Sequence, residues 1–398
     1  MPKLQRFREE ARAWLDENCP ASIRTRMVEG EQVNGGRKRP STNPDSYTWL
    51  ERMHSRGWTV PTWPKEYGGS ALSKEELVVL VEELQRIGAR SPLGGMGVTM
   101  IGPTLLEYGT VNQKKRHLPR IASGEIAWCQ GYSEPGAGSD LAGLRTRAED
   151  KGDHYLVNGS KIWTSGANHA DWIFCLVRTD FDAPKHDGIS FVLFSMDNDG
   201  VSTKPISLIS GNSPFCQTFF DNVHVPKDDL VNRPGQGWAV AKRLLQHERS
   251  GLEQMIGGDK AGVMERINPG CTLQELAQRY NDGNSLDAGL RDEITRINMG
   301  LKAFNLTRRR TVDESENNTL GAATSISKYV EAELVKEQLE VQIKIRGTQG
   351  LGWEGDNFSV EEISKGRLWL ESKSISIAGG TNEVQLNIIA KRVLGLPD

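Results

Sequence analysis

The feature that most constrains this chain is a change of hydrophobic period that happens twice. Residues 1–125 follow the helical period, residues 126–232 follow the alternation of short strands separated by turn residues, and residues 233–398 return to the helical period. A chain patterned this way folds as an α+β multidomain protein. The expectation is an N-terminal helical domain, a middle β-barrel or sandwich domain and a C-terminal helical bundle.

Local signals sharpen each zone. Leu4 to Leu15 is amphipathic, and Ser73-Lys74-Glu75-Glu76 reads as a capping box ahead of Leu77, Leu80, Val81, Leu84 and Ile87. Gly57 to Pro64 mixes prolines and a glycine with Trp58 and Trp63, which predicts a packed loop. In the middle zone, Asn158-Gly159 between Tyr155-Leu156-Val157 and Lys161-Ile162-Trp163 predicts a hairpin turn, because both turn residues tolerate positive φ. Trp172 to Val177, Ile189 to Phe194, Gln217 to Phe220 and Val223 to Val225 read as further short strands. In the last zone Asn268-Pro269-Gly270 and Arg346 to Gly352 interrupt the helices.

Charge excludes several classes of function. Against 49 basic residues stand 52 acidic ones, a formal net charge of -3, so the excess of cations that a nucleic-acid binder uses to neutralise phosphates is missing. Arg308-Arg309-Arg310 is too short to alter that and reads as a solvated helix face. No stretch reaches the roughly 18 apolar residues that span a bilayer, and the charged N-terminus has no signal-peptide centre, which predicts a cytoplasmic protein with no membrane partner. Cys19, Cys129, Cys175, Cys216 and Cys271 are scattered without a CxxC pair, and there is no HExxH, so neither a disulfide framework nor a metal site is expected.

Three features could carry chemistry. Ser133-Glu134-Pro135-Gly136-Ala137-Gly138-Ser139-Asp140 combines small residues and hydroxyls around exposed backbone N–H groups, a composition that suits an anion or a cofactor edge and that alone is equally a plain turn. Trp163-Thr164-Ser165-Gly166 adds an aromatic face that could line a planar ring or belong to the core. Trp238, Ala241, Leu245, Glu248 and Leu252 recur at spacings of three and four, which places Glu248 on an apolar helix face. Burial raises a carboxyl pKa toward the range of a general base, unless Arg249 or His247 neutralises it as a structural pair.

Taken together these residues resemble the acyl-CoA dehydrogenase family over nearly the whole chain. The resemblance rests on Ser133 to Gly143 (SEPGAGSDLAG), Asn158 to Gly166 (NGSKIWTSG), Arg346 to Gly352 (RGTQGLG) and Ile377 to Pro397 (IAGGTNEVQLNIIAKRVLGLP), with a weaker echo at Trp63 to Gly69. It implies a flavoprotein oxidoreductase of lipid metabolism that uses FAD, takes an acyl-CoA substrate and works as a tetramer. It further implies that Gln130, Tyr132 and Ser133 bond the flavin's pyrimidine edge, that Trp163 packs on the isoalloxazine and Ser165 bonds near N5. Ser139 touches the CoA portion. Arg346 and Gly350 cradle the ADP half of the flavin, with Thr381 and Glu383 at a cofactor-binding turn.

Two departures from the family pattern shape the functional expectation. Gly379 stands where many relatives carry the catalytic glutamate. The resemblance then implies the minority branch that keeps the base on the long helix just before an arginine, here Glu248-Arg249. Glu248 is thus the expected catalytic base, Arg249 a substrate-binding residue, and Gly379 the donor of a backbone N–H to the thioester carbonyl. The expected reaction removes the α-proton to Glu248 and passes a hydride from the β-carbon to flavin N5, giving a trans-2-enoyl-CoA, with an electron-transferring flavoprotein as acceptor. The second departure follows Glu265-Arg266, where an Arg-x-x-Phe-Gly segment that holds a neighbouring subunit's FAD is absent and Arg279 is the nearest candidate. Its absence implies a homologous partner chain in an α2β2 tetramer, with a homotetramer using Arg279, Arg291 or Arg296 as the alternative. Two other functions on the same fold stay open: a flavin oxidase or monooxygenase, and a catalytically silent partner subunit. Ala378 and Gly379 replace bulkier residues of relatives, which widens the expected acyl pocket toward branched or steroid side-chain thioesters.

Overall fold

The computed structural model describes residues 2–25, 27–28, 30–38, 40–249, 271–281, 286–313 and 324–397. Its contacts divide the chain into two compact units, one of residues 1–206 and 214–260 and the other of residues 207–213 and 261–398.

The first unit begins with helices α1 (Pro2–Asn18), α2 (Pro44–Ser55) and α3 (Lys74–Arg86). Ala11 and Leu15 of α1 meet Trp49 and Met53 of α2, Leu80 and Leu84 of α3, and Trp58 in one buried cluster. The Ser73 capping box forms as expected, its hydroxyl accepting from Glu76 N while the Glu76 carboxylate accepts from Ser73 N. Gly57 to Pro64 is the packed loop that its composition predicts, with both Trp58 and Trp63 buried. The Trp63 ring lies so close to Gly102 that a Cβ there would come within 2.2 Å of it. That contact seats a π-turn, Gly97–Ile101, against α4 (Gly102–Tyr108), which α5 (Val111–Ala122) follows.

The middle zone holds eight strands: β1 (Trp128–Gly131), β2 (Arg147–Asp150), β3 (His154–Ser165), β4 (Trp172–Arg178), β5 (Ile189–Ser195), β6 (Val201–Ile206), β7 (Phe215–Pro226) and β8 (Leu230–Val231). They pair in the order β6-β7-β3-β2-β4-β5-β8, with β1 parallel to β4. A single pair, Arg147 with Arg178, joins β2 to β4. Residues from both sides of that joint, among them Ala148, Tyr155 and Val223 on one and Ile173, Val177 and Val192 on the other, share one core cluster. The sheet therefore closes over its own interior, in keeping with the expected barrel or sandwich.

Two expectations need correction. Asn158-Gly159 is not a hairpin turn, because β3 runs straight through it. Gly159 has φ +144, and the register to β7 shifts between Val157 and Gly159, so the residues tolerant of positive φ form a bulge instead. Opposite lies Asn222 with φ +53, whose N–H donates to Asn158 Oδ1 at 2.9 Å. The segments Gln217 to Phe220 and Val223 to Val225 are consequently one strand, β7, bent at Asp221-Asn222. The β2–β3 hairpin turns at Gly152, where φ is +95.

Helix α6 (Gly237–Arg249) lays Val240, Ala241 and Leu244 on the outer face of β4 and β5, with Trp238 and Leu245 packed at the edge of that cluster. The second unit is helical: α7 (Leu273–Tyr280), α8 (Ala288–Asp313), α9 (Thr324–Arg346), α10 (Val360–Ser372) and α11 (Asn382–Ile388). Leu273, Leu276 and Ala277 of α7 pack with Ile294 and Ile297 of α8 and with Val341 and Ile345 of α9. The break expected at Arg346 is a 3-10 turn, Gly347–Leu351. Leu252, Glu265, Arg266 and Asn268-Pro269-Gly270 lie outside the described residues. Among the described residues no helix is long and apolar enough to cross a membrane.

Candidate active site

In the first unit the site residues gather where β1 ends and β3 ends. The loop after β1 is fixed by a buried ion pair: Lys161 is fully buried, and its ammonium donates to Glu134 Oε1 at 2.8 Å and to Tyr132 O at 3.0 Å. Glu134 also accepts from the N–H groups of Arg145 at 2.7 Å and Thr146 at 2.8 Å. Burial pushes the Glu134 carboxyl up, but the Lys161 charge and these bonds outweigh it and hold the carboxyl below the usual carboxylate range. Ser133 O accepts from Ile162 N at 2.8 Å, which completes the attachment of the loop to β3. Sequence reasoning passed over Lys161 and Glu134. The signal it had was a lysine on an inward-facing position of an apolar strand, which needs a partner inside.

Trp163 is not core. The register of β3 against β7 slips between Lys161 and Thr164, and the Trp163 backbone sits at φ +60. The residue is 52% exposed, and its ring meets Phe215 edge-on with centroids 6.0 Å apart. A bulky residue in that region is strained by about 1–3 kcal/mol. The next residue, Thr164, is buried, and its Oγ1 lacks a hydrogen-bond partner among the described residues, as does Gln130 Nε2 on β1. Ser165 pairs with Phe215 and is half-buried, while Tyr132 is buried with its ring edge-on to Phe174 and Phe191. An exposed aromatic ring held in a strained backbone conformation is a face against which a flat cofactor ring can lie, so Trp163 fits an isoalloxazine.

Ser139 is exposed on the same loop, at Gly136 and Gly138 an added Cβ would meet nothing, and Asp140 accepts from Lys185 Nζ at 2.5 and 2.7 Å. A cleft of about 660 Å³ opens there, lined by Pro135, Asp140, Arg145, Ser160 and Lys185 among others. Glu248 and Arg249 are in the last turn of α6, and their side chains lie outside the described residues.

The second unit carries the remaining candidates. Arg346 ends α9 buried, donating to Glu361 Oε1 at 2.8 Å and to Gln342 O at 3.2 Å, with its guanidinium over the Tyr280 ring. Tyr280 OH in turn donates to Glu362 at 2.9 Å. The charge of Arg346 is therefore answered within its own unit. Gly350 is required by packing, because a Cβ would fall 2.8 Å from Ile343 O. Gly379 and Gly380 both take positive φ, +69 and +98, and their carbonyls accept from Gln385 Nε2 at 3.4 Å. Thr381 then caps α11 by accepting from Val384 N. Glu383 is exposed in the first turn of α11, where its own backbone N–H and the Thr381 hydroxyl hold its carboxyl low. Arg279 reaches Glu361 at 3.5 Å and Arg296 reaches Asp292 at 3.4 Å, both on the surface.

Comparison with known proteins matches the same segments. The profile of the acyl-CoA dehydrogenase N-terminal domain covers residues 1–125, that of the middle domain residues 129–223, and that of the C-terminal domain residues 235–394. Acyl-CoA dehydrogenase IpdE1 of Mycobacterium tuberculosis is 35% identical, with 100% of this chain and 99% of the relative covered. Among solved structures, the Tcur3481-Tcur3483 steroid ACAD superposes with a TM-score of 0.75 at 33% identity, covering 100% of this chain and 98% of that one. The ChsE4-ChsE5 complex from Mycobacterium tuberculosis gives 0.73 at 30% identity with the same coverage. The three domain profiles, the α–β–α order of elements and full-length identity of 35% to a relative agree, and the chain belongs to the acyl-CoA dehydrogenase family of oxidoreductases.

Proposed function

We propose that the chain catalyses FAD-dependent α,β-dehydrogenation of an acyl-CoA thioester to a trans-2-enoyl-CoA. Trp163 carries the reading: a half-exposed indole held in a costly backbone conformation has no packing reason to be there, and a flat ring laid against it supplies one. Gln130, Tyr132, Ser133 and Ser165 are assigned to that ring's polar edge. Arg346, Gly350, Thr381 and Glu383 are assigned to the ADP half. FAD, when bound, supplies the acceptor for the hydride that leaves the substrate β-carbon.

The chain's own residues perform the rest. Glu248, which its spacing in the sequence puts in line with Trp238, Ala241 and Leu245, takes the α-proton, and the Gly379 N–H donates to the thioester oxygen. Both are needed together, because a carboxylate is too weak a base for an α-proton unless the electron pair left behind is stabilised on that oxygen. Ser139 and Arg249 hold the CoA portion. The test is anaerobic bleaching of the flavin by a panel of straight-chain, branched and steroid side-chain acyl-CoA thioesters, repeated with Glu248→Gln. Bleaching that the variant loses by several powers of ten supports the reading. Near-normal reduction of the variant removes Glu248 from the chemistry, and rapid reoxidation by air in place of an electron-transferring flavoprotein would make the chain an oxidase.

Two relatives above favour a second element of the reading, since one carries the paired name Tcur3481-Tcur3483 and the other is the ChsE4-ChsE5 complex. With no Arg-x-x-Phe-Gly in the sequence, pairing with a homologous chain that keeps it completes one flavin site per pair, in an α2β2 tetramer.

A further inference from the structure

The second unit holds Lys328, a half-buried lysine on α9 that no assignment above uses. Its ammonium donates to Ile375 O at 2.6 Å, at the end of the 3-10 turn Lys373–Ser376 that leads into Ile377 and Gly379. Its Cε is the nearest heavy atom to the space beside Gly379, 3.7 Å from where a Cβ would stand. The Gly379-Gly380 turn is thus gripped from two directions: Gln385 holds its carbonyls, and Lys328 holds the strand of chain that enters it.

Both glycines occupy the left-handed region, where a chain without side chains has the widest choice of peptide orientation. A donor that must face a developing oxyanion needs that choice removed before the substrate arrives, because preorganisation is what makes the hydrogen bond stronger in the transition state than in the ground state. The hydrogen bond to Ile375 O holds the chain that enters the turn and so narrows that choice, and the lysine brings a positive charge close to the same turn.

We propose that Lys328 is a positioning residue for this oxyanion donor: it fixes the Gly379 turn through Ile375 O and its charge favours the enolate-like thioester. This rests on the acyl-CoA reading and on Gly379 as donor. In the step it assists, the Cα–H bond breaks, the proton passes to the Glu248 carboxylate and the electron pair moves onto the thioester oxygen.

The experiment compares Lys328→Gln, which keeps a donor and loses the charge, with Lys328→Arg, which keeps both, in the flavin-loaded enzyme together with any partner that loading requires. Two readouts are taken: steady-state kcat and KM with the thioester that bleaches the flavin fastest, and the apparent pKa at which bound acetoacetyl-CoA forms its enolate. Lys328→Gln is expected to lower kcat by ~10–100-fold with KM changed less than about threefold, and to raise the enolisation pKa by about one unit. Lys328→Arg is expected to stay within about fivefold of the parent. Parent-like enolisation in Lys328→Gln overturns the inference, as does a Gln variant that fails to fold or to retain flavin, since Lys328 is then structural only. An equal loss in both variants overturns it too. If the parent neither enolises acetoacetyl-CoA nor is reduced by any thioester, the acyl-CoA reading itself has failed, and the inference with it.

Discussion

Replacing Lys161 by methionine keeps the buried stem and deletes the charge, and it tests whether the clamp between the loop after β1 and β3 organises the flavin edge. Removing one partner of a buried ion pair costs about 3–5 kcal/mol. Glu134 retains the N–H groups of Arg145 and Thr146, and hydrogen bonds to a charged group contribute about 1.5–3 kcal/mol each, so a cost at or just below the bottom of the ion-pair range, ~2–3 kcal/mol, is expected. Glu134→Gln in the same background removes the stranded charge. The double variant should therefore be more stable than the two single losses predict, with a coupling of about 1–3 kcal/mol. The assay is urea unfolding at neutral pH, read by tryptophan fluorescence and by flavin release. Flavin should dissociate ~10–100-fold more readily from Lys161→Met because Tyr132 and Ser133 shift with the loop.

The pH dependence follows from the direction of the Glu134 shift. Its folded carboxyl lies below the ordinary value, so the pair's stabilisation is fully present above the unfolded value of about 4.3 and is lost as pH falls through the folded one. Lys161→Met should lose stability less steeply over that acid range than the parent. Additive single effects, or parent-like flavin retention in Lys161→Met, would refute the clamp.

Three further outcomes are expected. Trp163→Gly relieves the φ +60 strain and should leave the flavin-free protein at least as stable, while altering the flavin spectrum and slowing its reduction; an unchanged spectrum would show that the indole does not touch the ring. The Glu83 carboxyl, held at about 2 by hydrogen bonding to Arg12 and then by Arg86 and Arg8 against its burial, stabilises the N-terminal helices above the unfolded carboxylate range and loses that effect as pH falls from about 4 toward 2. Glu83→Gln should cost ~1–3 kcal/mol at neutral pH and flatten the acid limb of the unfolding curve, the half-exposed arginines keeping the figure below the full shift. Expressed alone, the chain should load flavin poorly and recover one FAD per two chains with a homologous partner; a fully active homotetramer with one FAD per chain would exclude the pairing.

What could be read in the sequence were the features whose physics is local. A capping box needs only residues three apart, and Ser73 with Glu76 forms one. The packed loop at Trp58 and Trp63 is of the same kind, because prolines forbid regular structure while tryptophans demand burial wherever the chain goes. Features that depend on a distant partner were not legible. Asn158-Gly159 signals tolerance of positive φ, and only the strand opposite, with Asn222 at φ +53, decides that the tolerance serves a bulge and not a turn. Arg346 reads as a cofactor cradle in the sequence, and only the fold shows that Glu361 and Tyr280 surround its guanidinium.

Lys161 shows why the proposed flavin edge is only half legible in the sequence. The hydroxyls and glycines of Ser133 to Asp140 mark a loop that can present N–H groups, but such a loop has no fixed shape of its own. At Gly136 and Gly138 a side chain would meet empty space, so those glycines are not demanded by packing. The shape comes from Glu134, anchored by an ammonium that reaches it from 27 positions later in the chain. The strand that delivers this ammonium slips register immediately afterwards and turns the next indole out to solvent. A single stretch, Lys161 to Ser165, thus fixes the loop with its first side chain and presents the aromatic face with its third. That coupling is the reason loss of the Lys161 charge is expected to be felt at the flavin and not only in the melting curve.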